Sequence, residues 1–309
     1  MSTDYDIIIL GAGPAGLTAG IYAARARRSV LILDSGTVGG QTVLTDRVAN
    51  YPGVAETSGR ELSQTMMQQA RSFGCEVKPF ARIKEVELAG EVKTVTLKNG
   101  TRVAAKAVTV ASGGVPRKLG VDGEDRFVGH GISYCATCDG EFFADRPIAV
   151  VGGGNSALEE AVSLSKFASR ITVIHEFDHF QAEPWIVAEA QANEKIGFLM
   201  NQRVLGFTGE SELATVRSSD KATGAVTETA VDGCFVFIGY VPNSQAVEGQ
   251  VATNDRGEII TDDALCTNLP GVFAAGDVRV KRTRQITTAV SDGTVAALSA
   301  LDYLNEAAS

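Results

Sequence analysis

Cys135-Ala136-Thr137-Cys138, with Asp139 directly after it, sets two thiols three positions apart. That spacing can close a small, strained disulfide that accepts and returns two electrons, and the pair lies between two glycine-rich segments that each follow an apolar run. Dithiol chemistry beside nucleotide cofactors is the first expectation. The competing use of paired cysteines is a zinc centre, which needs a second ligand pair. Cys75, Cys234 and Cys266 are scattered singly and no histidine stands at ligand spacing, so no metal site is expected.

The elements around the pair have to position it. Tyr5 to Leu10 reads as a buried strand running into Gly11-Ala12-Gly13-Pro14-Ala15-Gly16 and an alanine-rich helix to about Arg27. In that context the first glycine permits a tight turn, the second lets the backbone approach a pyrophosphate, and the third packs the helix on the strand with its N-terminus aimed at phosphate. A second strand, Ser29 to Leu33, ends at Asp34, placed to accept hydrogen bonds from a ribose. The pattern returns at Pro147 to Val151, Gly152-Gly153-Gly154-Asn155-Ser156-Ala157, a helix from about Ser156 to Phe167 and a strand over Arg170 to Ile174. Ala157 replaces the last glycine, where only a small side chain is required.

Between these units, Ser58 to Phe73 has helical periodicity and stops at Gly74, while Ile83 to Lys98 and Thr101 to Ala111 read as strands separated by the Asn99-Gly100 turn. Near the C-terminus, Val272 to Ala275 runs into Gly276-Asp277, which can offer a carboxylate and backbone N–H groups to a ribityl-phosphate chain. Arg284-Gln285-Ile286-Thr287-Thr288-Ala289 then leads into a final helix through Leu304. The order of elements makes the second Rossmann unit an insertion in the first. The expected fold is α/β, with two Rossmann-like three-layer domains, the second inserted into the first. The expected boundaries are 1–114 and 243–309 for the discontinuous domain and 115–242 for the insertion, with crossings at Gly114-Val115-Pro116 and Val241-Pro242-Asn243.

Composition narrows the partners. A chain of 309 residues with 33 glycines has room for two such domains, and a net charge of -9 argues against nucleic acid. Ile7 to Leu10 is too short and too acidic in its flank for a signal peptide, and no apolar run is long enough to span a bilayer, so a cytoplasmic protein without a membrane partner is expected. Five cysteines with one close pair suit a reducing compartment. His130, five residues before the dithiol in a glycine-flanked loop, either tunes thiolate formation or caps a turn, the second being favoured. His175 and His179 straddle a strand end and a loop, which is unsuited to a metal.

Together these motifs resemble the low-molecular-weight thioredoxin reductases, over essentially the whole chain. The resemblance implies FAD on the split domain, with Gly11, Gly13, Ala15, Gly16, Asp34, Gln41, Asn50, Gly276, Asp277, Arg284, Gln285 and Ile286 around it. It also implies a homodimer, a thioredoxin-like protein as acceptor, and rotation of the inserted domain on its two linkers. By the same resemblance Cys138 meets the flavin, Cys135 attacks the partner disulfide, and Asp139 gives or takes a proton. The residues alone leave Asp139 open to being a solvated turn acid.

One segment departs from that pattern. NADPH-dependent members carry a His-Arg-Arg stretch and a further arginine after the second fingerprint, because a ribose 2′-phosphate needs guanidinium partners. Here the segment is His175-Glu176-Phe177-Asp178-His179-Phe180-Gln181. Glu176, Phe177 and Gln181 replace the arginines, and the Glu176 carboxylate would repel the phosphate. NADPH is therefore disfavoured. NADH is admitted, since Glu176 stands where a Rossmann acid binds two ribose hydroxyls. The favoured reading is a ferredoxin or flavodoxin donor, as in the branch that uses no nicotinamide, with Phe177, Phe180 and Trp185 filling or covering the former pocket, or serving as plain core aromatics. Arg279, Lys281, Arg282 and Arg284 are a candidate docking patch of low weight. A redox-sensing or regulatory flavoprotein without turnover is the alternative of another class. A ferredoxin-NADP reductase of similar fold is opposed by the dithiol itself.

Overall fold

The computed structural model describes residues 3–45 and 48–307. It comprises two compact units, one formed by residues 1–115 with 241–309 and the other by 116–240.

The first unit begins with β1 (Tyr5–Leu10), α1 (Pro14–Arg25), β2 (Val30–Leu33), α2 (Gly59–Ser72), β3 (Glu76–Lys78), β4 (Ile83–Glu87), β5 (Lys93–Leu97) and β6 (Arg102–Val110). The sheet order is β3-β2-β1-β6-β5-β4, parallel from β3 to β6 and antiparallel beyond it. Alternate residues of the central strands serve opposite faces. Ile7 and Ile9 pack with α1 and α2, whereas Ile8 and Leu10 pack with Val86, Val95, Val247 and Ile259. Helix α2 starts where a capping box predicts it: Ser58 Oγ accepts from Glu61 N and the Glu61 carboxylate accepts from Ser58 N. The expected single strand over Ile83 to Lys98 is instead the hairpin β4–β5. Gly90, with φ +81°, supplies a left-handed turn residue that divides the run.

The chain then passes through β7 (Gly114–Pro116) into the second unit: α3 (Glu124–Phe127), β8 (Ile132–Ser133), α4 (Ala136–Asp139), β9 (Pro147–Val151), α5 (Asn155–Leu164), β10 (Arg170–Ile174), α6 (Pro184–Ala192), β11 (Ile196–Leu199), β12 (Gln202–Gly209), β13 (Leu213–Asp220), β14 (Val226–Ala230) and β15 (Gly233–Val236). Parallel strands in the order β11-β10-β9-β15-β8 carry α5 and α6 on one face. The antiparallel sheet β12-β13-β14 covers the other face, through Val204, Phe207 and Val216. The sequence reading assigned no strands there. Strand β14 alternates exposed and half-buried residues without burying one, so it has little hydrophobic signal to show.

Returning through β16 (Tyr240–Pro242), the chain adds β17 (Val272–Ala274) parallel to β6 and ends in α7 (Ile286–Glu306), which packs along α1. Each crossing is pinned within its own unit. Ser112 Oγ donates to Asn243 O (2.7 Å) and Asn243 N to Gly113 O (2.9 Å), while Arg117 N donates to Gly239 O (2.9 Å). Both units are thus α/β folds built on a parallel sheet, which in the first is extended by the antiparallel β5 and β4. No helix among the described residues is long and apolar enough to cross a membrane.

Candidate functional site

Cys135 and Cys138 are joined in a disulfide with their Cα atoms 5.3 Å apart. Cys135 is the extended residue that starts α4, and its Sγ accepts from Cys138 N (3.2 Å). Ser133, at the end of β8, supports the pair from below: its hydroxyl donates to Asp139 Oδ2 (2.6 Å) and accepts from Cys135 N (3.0 Å). Asp139 N in turn donates to Cys135 O (3.2 Å). The acid is therefore held to the dithiol turn, not free in solvent, and the buried Ser133 that holds it was missed from sequence. A serine two residues before the first cysteine is the only local signal it gives.

The other thiols are unsuited to this chemistry. Burial pushes Cys75 up to about 11, and burial with the Glu124 charge pushes Cys234 further, so neither forms thiolate near neutral pH. Cys266 is also raised, by burial and then Asp262. His130 lies in an exposed turn, 3.5 Å from Glu212.

In the first unit the other predicted residues converge around the N-termini of α1 and α7. Gly11 adopts φ +111°, and a Cβ there would lie 2.3 Å from Ala111 O; at Gly16 a Cβ would lie 1.9 Å from Gly11 O. Only glycine fits either position. Asp34 closes the turn, accepting from Ala12 N (2.7 Å) through Oδ2 and Gly36 N (2.8 Å) through Oδ1. Gly39 N donates to Ala12 O (2.8 Å), which brings the short 3₁₀ helix carrying Gln41 to the same turn. Gly276 lies against Ala15, and Asn50 Nδ2 donates to Gln285 Oε1 (3.4 Å) at the cap of α7, where Ile286 is the first helical residue.

Asp277 Oδ1 is buried with no hydrogen-bond partner among the described residues, and burial pushes its carboxyl above the usual carboxylate range. Such an atom is expected to meet a hydroxyl from a ligand. With the open face of Gly13, where a Cβ would touch nothing within 4 Å, these residues fit FAD. Asp277→Asn is expected to stabilise flavin-free protein by about 1 kcal/mol at neutral pH, because a buried charge is removed, and to weaken flavin retention. Since the folded pKa is raised, wild type regains that stability as pH falls through it, so the advantage of the variant disappears in acid. Urea unfolding of stripped protein and flavin release on dilution check the two halves.

Three residues of the basic cluster are engaged by acids within the unit, while Arg282 is exposed. Asp292 of α7 accepts from Arg279 Nε (2.9 Å), Lys281 Nζ (2.8 Å) and Gly276 N (3.0 Å), and Arg284 is bonded to Glu258.

At the second glycine turn, His175 is buried with its ring against Gly153, where a Cβ would lie 2.4 Å from it, and burial holds the imidazole below the usual histidine range. Gln181 N donates to Gly153 O (2.9 Å). Phe180 stacks on His175 and meets Phe198 edge-on in the core, while Phe177 and Trp185 remain 38% and 57% exposed. Phe180 is thus half-buried against the core, while Phe177 and Trp185 lie at the surface. Glu176 is ion-paired with Arg203 (3.3 Å) and Lys221 (3.5 Å).

Two glycine-turn units, one bearing a dithiol and acid, define a flavoprotein disulfide oxidoreductase. The chain belongs to the pyridine nucleotide-disulphide oxidoreductase family, whose sequence pattern matches residues 5–293, and within it to the low-molecular-weight thioredoxin reductases. It is 44% identical over 304 residues to thioredoxin reductase of Bacillus subtilis, spanning 98% of this chain and 95% of that one. It is 42% identical over 311 residues to thioredoxin reductase of Peptoclostridium acidaminophilum, spanning 98% of each. The crystal structure of thioredoxin reductase from Streptococcus pyogenes superposes with a TM-score of 0.92 at 41% identity, covering 98% of both chains.

Proposed function

We propose that this protein is an FAD-dependent thioredoxin-disulfide reductase whose donor is a ferredoxin- or flavodoxin-type carrier in place of NADPH. The observation that carries the reductase assignment is the Cys135–Cys138 disulfide with Asp139 fixed beside it by Ser133. The residues around Gly11, Gly16, Asp34 and Asp277 would hold FAD, which supplies, when bound, the passage of electrons from the donor to the dithiol. In this reading 1–114 with 243–309 is the flavin domain and 115–242 carries the dithiol.

The protein's own residues do the rest. Once the pair is reduced, the Cys135 thiolate attacks one sulfur of the acceptor disulfide, forming a mixed disulfide and releasing the acceptor's other sulfur as thiolate, which takes up a proton. Cys138 then attacks Cys135 Sγ, re-forming the internal disulfide and releasing the second acceptor thiol. Asp139, bonded to Ser133, would pass the proton between Cys138 and solvent. Crossings at 114–116 and 241–243 let the dithiol alternate between flavin and acceptor.

The donor reading rests on Glu176. A carboxylate stands in the strand-end position where a 2′-phosphate would need cations, and it already occupies the two that lie there, Arg203 and Lys221. NADH is the second reading, favoured by the half-exposed Glu176 beside an intact glycine turn. Anaerobic mixing of the yellow protein with NADPH, NADH or reduced ferredoxin, followed by oxidised thioredoxin, separates the donors. Reduced ferredoxin is expected to bleach the flavin and yield thioredoxin thiols, while NADPH leaves it yellow. Rapid bleaching by NADPH defeats the donor reading, bleaching by NADH alone selects Glu176 as a ribose ligand, and thioredoxin turnover with any donor excludes a pure sensor.

A further inference from the structure

We propose that Arg203 and Lys221 form a latent clamp for a phosphate dianion, and that the Glu176 carboxylate keeps this clamp closed as an internal substitute for the phosphate. The inference deepens the donor reading above and rests on it.

Glu176 Oε1 receives both cations, Arg203 Nη2 at 3.3 Å and Lys221 Nζ at 3.5 Å. Two cationic side chains converging on one oxygen is the arrangement a phosphate oxygen would ask for. Main-chain bonds tie the three loops that carry the charges. Gln202 N donates to His175 O (2.8 Å), Asn201 N to Phe177 O (2.9 Å) and Lys221 N to Asn201 O (2.9 Å). Asn201 takes a left-handed φ of +59°, tolerable for asparagine, to turn the chain between β11 and β12. Lys221 Nζ also lies 5.1 Å from the centre of the Phe177 ring, which favours an ammonium there. The cations are thus directed by the backbone.

Position gives the cluster its meaning. Glu176 directly follows His175, whose ring lies on Gly153, so the triad stands at the ribose end of the second glycine turn. The nearby acids have bonds of their own: Asp178 with His179, although the Lys221 charge also acts on it weakly, and Asp220 with the N–H groups of Ala222 and Thr223. Glu176, Arg203 and Lys221 are all substantially exposed, and exposed ion pairs contribute little to stability. Discrimination against a second anion is the use that remains.

The test is calorimetric titration of FAD-saturated, full-length protein at low salt with adenosine 2′,5′-bisphosphate and with adenosine 5′-monophosphate. Glu176→Gln, or Glu176→Ala should the amide still hold Arg203, is expected to tighten bisphosphate binding by about tenfold or more, since charge-assisted hydrogen bonds become free. Monophosphate binding should not change. Adding Arg203→Ala should remove the gain, and Asp178→Asn, which deletes a neighbouring charge without opening the clamp, should give less than about twofold. Flavin content and melting temperature check that each variant is folded. No gain in either Glu176 variant, a gain that survives loss of Arg203, or an equal gain from Asp178→Asn overturns the clamp. Loss of monophosphate binding in Glu176→Gln also overturns it, making Glu176 a ribose ligand. Wild-type protein that already prefers the bisphosphate overturns the donor reading together with the closed clamp, a result read before any variant is made, whereas the failures above leave the donor reading standing.

Discussion

Cys138→Ser is expected to lower thioredoxin-disulfide turnover by about a thousandfold or more, with flavin content unchanged, because removing one member of a unit that acts together removes the whole step. Cys135→Ser should be as inactive, and the two variants should fail differently. With Cys138 absent, Cys135 can still attack a disulfide but nothing internal can resolve the product. Challenge with a single-cysteine thioredoxin activated as an aryl disulfide should then trap a mixed disulfide, releasing one aryl thiol per bond formed, visible by mass spectrometry. The Cys135→Ser variant should trap far less, since Cys138 is assigned to the flavin side. Equal trapping by both would reverse or erase that division of roles. The remaining thiols are poor substitutes: Cys75 and Cys234 are buried, which raises their pKa, and burial with Asp262 raises that of Cys266.

What could be read without coordinates follows from how local each feature is. Strand β10 spans the expected Arg170–Ile174 and β9 the expected Pro147–Val151, because each is a short apolar run stopped by a turn signal. The dithiol and both glycine turns are likewise contiguous, and their chemistry is written in spacing. Residues that act across the fold left no such mark. Arg203 and Lys221 reach Glu176 from β12 and the turn after β13, elements the sequence pattern barely shows. Ser133 and Glu124 are buried polar groups defined by partners that only folding brings together. Glu124, for instance, accepts from Leu119 N, Gly120 N and Tyr134 Oη, linking the segment after β7 to the residue preceding the dithiol. The cluster Arg279, Lys281, Arg282 and Arg284 shows the converse difficulty. Adjacent basic residues suggest a surface patch, yet two of them are turned onto one buried carboxylate from α7.

That carboxylate supports the second large prediction. Asp292→Ala is expected to destabilise the flavin-free protein by about 3–5 kcal/mol, the usual cost of stripping the partner from a buried charge. The Lys281 side chain is only 7% exposed and that of Arg279 20%, so neither cation can recover full hydration in place, and Gly276 N loses its acceptor as well. Since Gly276-Asp277 is the turn assigned to the ribityl chain, flavin retention should fall with stability. The pH dependence identifies the cause. Burial alone would raise the Asp292 carboxyl, but hydrogen bonds from Arg279 and Lys281 outweigh it and hold it below the ordinary carboxylate range. A depressed folded pKa gives stability that is fully present above the unfolded value of about 4 and is lost as pH falls through the folded one. Wild type and Asp292→Ala should therefore differ by a constant amount from about pH 5 to 7 and converge in more acid solution, measured by urea unfolding at each pH. A double variant, Asp292→Ala with Lys281→Met, separates charge burial from lost packing, because removing both partners relieves the uncompensated ammonium. Partial recovery is expected from it. If the double variant is no more stable than Asp292→Ala, the penalty lies in the freed Gly276 amide and the cavity at α7, and the electrostatic account of this cluster fails.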